Sequence, residues 1–246
     1  MHLCILQSGE INPAIAEGLP GYQDMYSALF AEAAPDVHLT YIQTRHGEIP
    51  SDIDDFDAYL ITGSPRGVYN DDDWIAPLHD FVRAIYRAGK PLIGICFGHQ
   101  VIANALGGHA EKSSQGWGAG IRTIPVINPS DIIPADCTSL DLLYMHQDQV
   151  TSLPEGATTL MGDTFCPIAA YSIGDQVLCF QGHPEFTHPV VKAIIDLREE
   201  EIGTERSATA HDSLKKPHDG ATVGHILYNF LRHSLLRRAQ GQRPQN

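Results

Sequence analysis

The 246-residue chain is poor in basic side chains: 16 Lys and Arg stand against 30 Asp and Glu, a formal net charge of -14. Duplex nucleic acid and anionic membrane surfaces are bound by clustered Lys and Arg, so the composition argues against both as partners. The few basic residues that gather, Arg237, Arg238 and Arg243, lie at the far end, and 239–246 reads as a solvated tail. Cysteine is also scarce. Cys4, Cys96, Cys137, Cys166 and Cys179 form an odd set without a CxxC pair, which reads as reduced thiols in a cytoplasmic protein rather than a disulfide framework.

Other signals are missing as well. No apolar run reaches the ~18 residues that a membrane-spanning helix needs. The opening Met1–Leu6 has neither the basic region nor the small-residue cleavage site of a secretory leader. No Gly-rich phosphate loop with its lysine is present, so an ATP-using domain is not expected within the chain. The 13 histidines include no HExxH and no paired Cys/His spacing, so neither a metal nor another cofactor is indicated. Asp71-Asp72-Asp73 has the chemistry of a hard-cation cluster. It equally suits the N-terminus of the helix entered at Trp74-Ile75, and the capping role is preferred. There is no repeat, low-complexity tract or dividing linker, so 1–246 reads as one domain.

Hydrophobic residues make up 43% of the chain, enough for a substantial core. Apolar runs at 3–7, 37–42, 58–61 and 91–95 read as strands. Between them, Tyr22, Met25, Tyr26, Leu29, Phe30 and Ala33 draw one helical stripe, and Ile75, Leu78, Val82, Ile85 and Tyr86 another, stopped by Gly89. This strand–helix alternation predicts an α/β fold, an open doubly wound sheet with helices on both faces. From 108 to 182 helical periods vanish. Runs at 121–127, 157–161, 169–173 and 177–181 read as antiparallel strands added to one end of the sheet, giving a mixed sheet. Helices return at 190–197 and 220–236, and the polar 203–219 reads as a surface excursion.

Gly94-Ile95-Cys96-Phe97-Gly98-His99-Gln100 stands where an apolar strand turns into a helix. Gly-x-Cys-x-Gly is the thiol counterpart of the Gly-x-Ser-x-Gly nucleophile elbow. Such a turn presents Cys96 at the carboxyl end of the sheet, where open α/β sheets place their sites. The helix N-terminus behind it favours thiolate over thiol. Taken alone, Cys96 fits an inert buried thiol equally well, which is the reading for the other four cysteines.

A nucleophile needs a base and a group that orients the base. Gln181-Gly182-His183-Pro184-Glu185 supplies both. The proline pushes His183 toward extended backbone, and residues two apart on extended chain point the same way. His183 can then take the thiol proton while Glu185 fixes its tautomer. A third segment, Thr62-Gly63-Ser64-Pro65, follows a strand expected beside the Cys96 turn. With the Phe97 amide, the Ser64 amide beside Gly63 could form an oxyanion hole, although Gly-Ser-Pro by itself is also an ordinary turn.

Together, in this order, the three motifs resemble those of class I glutamine amidotransferases, over nearly the whole chain. Within that family the chain is most similar to the glutaminase domain of GMP synthase and its stand-alone relatives, which include plant γ-glutamyl peptidases; Tyr69–Ile75 and Met145-His146-Gln147-Asp148-Gln149-Val150 also match segments there. The resemblance implies a flavodoxin-like fold and a triad of Cys96, His183 and Glu185 that attacks glutamine or another γ-glutamyl small molecule through a thioester. It further implies that Gln100 holds the glutamyl end and that Met145 and His146 contact the α-amino and carboxylate groups. Ser64 stands where the family commonly has glycine, and Met145 where it often has serine. Three readings stay open: a stand-alone γ-glutamyl hydrolase or peptidase, an ammonia-supplying subunit of a separate synthase, and a non-catalytic module on the same fold.

Overall fold

A computed structural model describes residues 1–241; Arg243 and the rest of the expected tail beyond 241 lie outside them. In chain order the elements are β1 (His2–Leu6), α1 (Tyr22–Ala33), β2 (His38–Ile42), β3 (Ala58–Ile61), α2 (Ile75–Arg87), β4 (Leu92–Ile95), α3 (Phe97–Ala105), β5 (His109–Lys112), β6 (Gly118–Pro125), β7 (Ser139–His146), β8 (Asp148–Ser152), β9 (Ala157–Met161), β10 (Ala170–Ile173), β11 (Val177–Phe180), α4 (His188–Leu197), α5 (Glu199–Ile202), α6 (Thr204–Ser213) and α7 (Gly220–Ala239).

Seven strands form one mixed sheet in the order β2-β1-β3-β4-β11-β10-β9. The first five run parallel, and β10 and β9 continue antiparallel. Every residue of β3, β4 and β11 is buried, as expected of parallel strands covered on both faces. One face packs on α1 and α7 through Tyr26, Phe30, Leu227 and Leu231. The other packs on α2 and α3 through Leu78, Val82, Val101 and Ile102. The fold is therefore doubly wound, as the strand–helix alternation predicts. α2 ends as read, with Gly89 at φ 65° and its N–H on the Tyr86 carbonyl.

The middle of the chain departs from expectation in three ways. First, only β9 and β10 extend the sheet's end. β11 instead inserts parallel to β4, with Phe180 opposite Ile95. Second, β5–β8 and β6–β7 form separate two-stranded antiparallel ribbons. Third, the polar stretch 203–219 contains helix α6, whose Ser207 and Ala210 are buried, so it packs one side rather than looping away. The Asp71–Asp73 run supplies no side-chain cap to α2. The Asp72 carbonyl accepts from Ile75 N–H, and its carboxylate pairs with Arg66 at 3.4 Å. No helix among the described residues is long and apolar enough to cross a membrane.

Candidate active site

Register brings the three motifs together. Ile61 of β3 lies opposite Gly94 of β4, and Ile95 opposite Phe180 of β11. The carboxyl ends of three adjacent parallel strands thus deliver Gly63-Ser64, Cys96 and Gln181–His183 to one place. The close β4–α3 turn needs its two glycines. A Cβ on Gly94 would lie 2.6 Å from the Gly98 carbonyl carbon, and one on Gly98 would strike the Ile61 carbonyl oxygen. Cys96, between them, has φ 53° and ψ -100°, the one non-glycine residue with positive φ among those described. Backbone held in such a sparsely populated region costs of order 1–3 kcal/mol and collects at functional sites. The Cys96 N–H is spent on the Phe180 carbonyl at 2.9 Å, which ties the turn to β11.

His183 is positioned from three sides. Its N–H donates to the Leu143 carbonyl at 2.8 Å, so β7 holds the backbone. Its Nδ1 lies 2.8 Å from Glu185 Oε1. Because a carboxylate accepts, Nδ1 carries the hydrogen and Nε2 faces the site. Its ring lies flat on Phe186, centroids 3.8 Å apart. Gly63 closes over the ring: a Cβ there would come within 2.8 Å of His183 Cε1. Burial is the largest influence on His183 and opposes its charge. Glu185 and the Cys96 sulfur together outweigh burial and raise the imidazole to about 10.

Glu185 is buried behind His183, beside Tyr22 and Tyr26. Its Oε2 and the Tyr26 hydroxyl each lack a hydrogen-bond partner among the described residues. They are nonetheless close enough that, after burial itself, the Glu185 charge is what holds the Tyr26 phenol far above its usual range. The phenol therefore stays neutral.

Cys96, Ser64, Gln100, Met145, His146 and His183 all line one cavity of about 520 Å3. The Ser64 and Phe97 N–H groups have no acceptor among the described residues. The Phe97 side chain points elsewhere, onto Trp74 at 5.4 Å. Gln100 is more committed than its expected role implies: its Nε2 donates to the Asp148 carbonyl at 2.9 Å and the Gln181 oxygen at 3.1 Å. Only its Oε1 remains for a substrate donor. His146 Nδ1 meets the same Asp148 carbonyl at 3.0 Å, leaving Nε2 a bare, buried acceptor. Burial chiefly depresses His146 to about 4, so it stays neutral.

The family model for class I glutamine amidotransferases matches residues 22–195. The chain belongs to that family. Among its relatives, γ-glutamyl peptidase 3 of Arabidopsis thaliana is 33% identical over 72% of this chain and 73% of its own length. γ-Glutamyl peptidase 2 of the same plant is 30% identical over 89% and 90%. The glutamine-hydrolysing GMP synthase of Azoarcus sp. is 32% identical over 53% of this chain and 26% of its own. In three dimensions the fold is that of a glutamine amidotransferase crystal structure from Thermotoga maritima, with a TM-score of 0.71, 19% identity and 96% of each chain covered.

Some residues that sequence reasoning passed over also belong to the site. Gln181, buried, places its amide 3.6 Å from Cys96 Sγ. It shares the odd-numbered parity of His183 and Glu185, so the rule that paired those two reaches it as well. Tyr22, Tyr26 and Phe186 surround the His183–Glu185 pair, and Ile11, Trp117, Ile194 and Leu197 line the cavity. Neither group carries a motif.

Proposed function

We propose that this class I amidotransferase is a stand-alone amidohydrolase that cleaves a γ-glutamyl amide through a thioester on Cys96. The observation that carries this reading is that Cys96 and His183 line one cavity while Glu185 lies 2.8 Å from His183 Nδ1. The thiolate adds to the γ-carbonyl carbon. The oxygen, now negative, turns toward the Ser64 and Phe97 N–H groups. His183 gives its Nε2 proton to the departing nitrogen, the C–N bond breaks, and the amine leaves. Water then loses a proton to His183 and attacks the thioester. The C–S bond breaks, glutamate departs, and the thiolate–imidazolium pair is restored.

The cavity favours a leaving group larger than ammonia. Its wall includes Ile11, Ile15, Trp117, Ile194 and Leu197 among the charged residues Glu10, Lys112, Arg198 and Glu201, apolar contacts with a few polar groups of the kind that take small-molecule side chains. The peptidase relatives, whose lengths this chain largely spans, fit the same reading. The protein's place is the cytoplasm, where five unpaired thiols stay reduced. A second reading, a glutaminase that lends ammonia to a separate synthase, draws on the GMP synthase match.

A panel of γ-glutamyl compounds assayed for released glutamate, with Cys96→Ala as the blank, tests the proposal. Release from γ-glutamyl amines or peptides by the purified chain alone is expected. Activity surviving in Cys96→Ala would end the thioester reading. Activity confined to glutamine and raised by a co-purifying synthase would favour the second.

A further inference from the structure

The Cys96 sulfur has two polar neighbours, and the mechanism above uses only His183. The other is Gln181, fully buried at the end of β11, with Nε2 3.6 Å from Sγ. The two ends of a glutamine amide have the same shape, so the surroundings must decide which faces the sulfur. Here they do. The Asp148 carbonyl oxygen can only accept, and it lies 2.9 Å from the Gln100 amide, which must therefore present its –NH2. That same nitrogen lies 3.1 Å from the Gln181 amide, so the Gln181 atom there is the oxygen. The Gln181 –NH2 is left pointing at the sulfur.

We infer that Gln181 is a positioning residue for the nucleophile: its N–H holds the Cys96 thiolate, and Gln100 acts through Gln181 by locking that orientation. The inference rests on Cys96 being the nucleophile. A hydrogen bond donated to a charged acceptor is about twice as strong as one to a neutral acceptor. The contact therefore favours the thiolate over the thiol and fixes the sulfur's direction at the mouth of the cavity. Once the sulfur is acylated its charge is gone and the contact weakens, so Gln181 also favours the step that returns the thiolate. Backbone geometry maintains the arrangement, since Gln181 N–H is tied to the Ala169 carbonyl at 2.8 Å and Cys96 N–H to the Phe180 carbonyl at 2.9 Å.

The test is the pH dependence of iodoacetamide alkylation at Cys96, read by mass spectrometry of its peptide in the full chain. Gln181→Met keeps the length and removes the donor. Its alkylation midpoint is expected about one pH unit above wild type, equivalent to about a tenfold loss of thiolate below the midpoint. Gln181→Glu keeps the bond from Gln100 but turns an oxygen to the sulfur, and its midpoint should move further the same way. Gln100→Met should move it in the same direction by less, because Gln181 is then free to turn. In both Gln181 variants kcat should fall while KM stays within about twofold, with thermal unfolding and Cys137 alkylation as checks on folding. An unmoved midpoint in folded Gln181→Met or Gln181→Glu overturns the inference. So does a folded Gln100→Met variant whose alkylation midpoint stays at the wild-type value. Alkylation needs no substrate, so a wild-type chain that releases no glutamate would count against the proposed function and leave this test standing.

Discussion

Phe186 lies flat beneath His183, ring centroids 3.8 Å apart and planes 2° apart. Tyr22 meets Phe186 edge-on at 6.1 Å. The imidazole thus rests on an aromatic floor with Gly63 close to its Cε1, and turning it would break the stacked contact. Aromatic pairing of this kind contributes ~0.5–1.5 kcal/mol, which corresponds to at most about tenfold in rate if all of it orients the ring. Phe186→Leu keeps apolar bulk and loses the flat face. Its kcat should fall about three- to tenfold with KM little changed. A KM effect without a kcat effect would show that Phe186 serves the cavity wall rather than His183.

The charge on His183 gives a prediction with a definite sign. Its folded-state value is raised to about 10 against an ordinary 6.5. The protonated form is therefore kept through neutral pH and lost as pH rises through the raised value. Any step that needs the imidazolium fades over that alkaline range. The same group adds stability that is complete below about 6.5 and gone above about 10. Glu185→Gln removes the leading favourable charge and leaves burial to act against protonation. The alkaline limb of kcat/KM should move to lower pH, and kcat at neutral pH should fall by ~10²–10⁴-fold. A limb that stays in place would show that Glu185 does not control His183.

Cys96 carries backbone strain that can be measured apart from its chemistry. At φ 53° any Cβ is disfavoured, so Cys96→Ala keeps the strain while Cys96→Gly releases it. Both variants should be inactive. The glycine variant should nonetheless be the more stable by about 1–2 kcal/mol, which for a chain of this size is about 2–8 °C in Tm. Equal melting points would show that the turn is relaxed.

How far the sequence reveals this site depends on the range of the forces that build it. Local signals are legible: the helical stripes of α1 and α2, the apolar runs of β3 and β4, the Gly94–Gly98 turn and the His183/Glu185 parity all arise within a few residues. Pairing between distant segments is not. Val177–Phe180 is apolar throughout, which fits a strand buried on both faces, but nothing in it states that its neighbour is β4 rather than the sheet's end. β5, His-Ala-Glu-Lys with only Ala110 buried, has no periodicity to find because its ribbon is stabilised by pairing with β8. α6 is polar because one side faces solvent, and its contact with β6 is made by two small residues, Ala210 and Ser213, against Gly120 and the Ile121 N–H. Gln181 was visible as a letter of a motif. Its role required the Asp148 carbonyl and Gln100, which fix which end of its amide meets the sulfur.

Substrate choice should depend on residues outside every motif. Trp117 lines the cavity and carries the Arg198 guanidinium 5.2 Å above its ring, while Arg198 is held at 3.1 Å by Glu201. That places a braced aromatic surface in the wall, at the start of β6. An apolar leaving group packed there loses its contact surface in Trp117→Ala, and pocket contacts of this kind discriminate by ~10–200-fold. kcat/KM for a γ-glutamyl amide with a large apolar amine should therefore fall at least tenfold. The value for glutamine, whose leaving group is ammonia, should change less than about threefold, because ammonia has no atoms to place against the ring. Equal losses for both would mean that Trp117 supports the fold of the site and does not read the leaving amine.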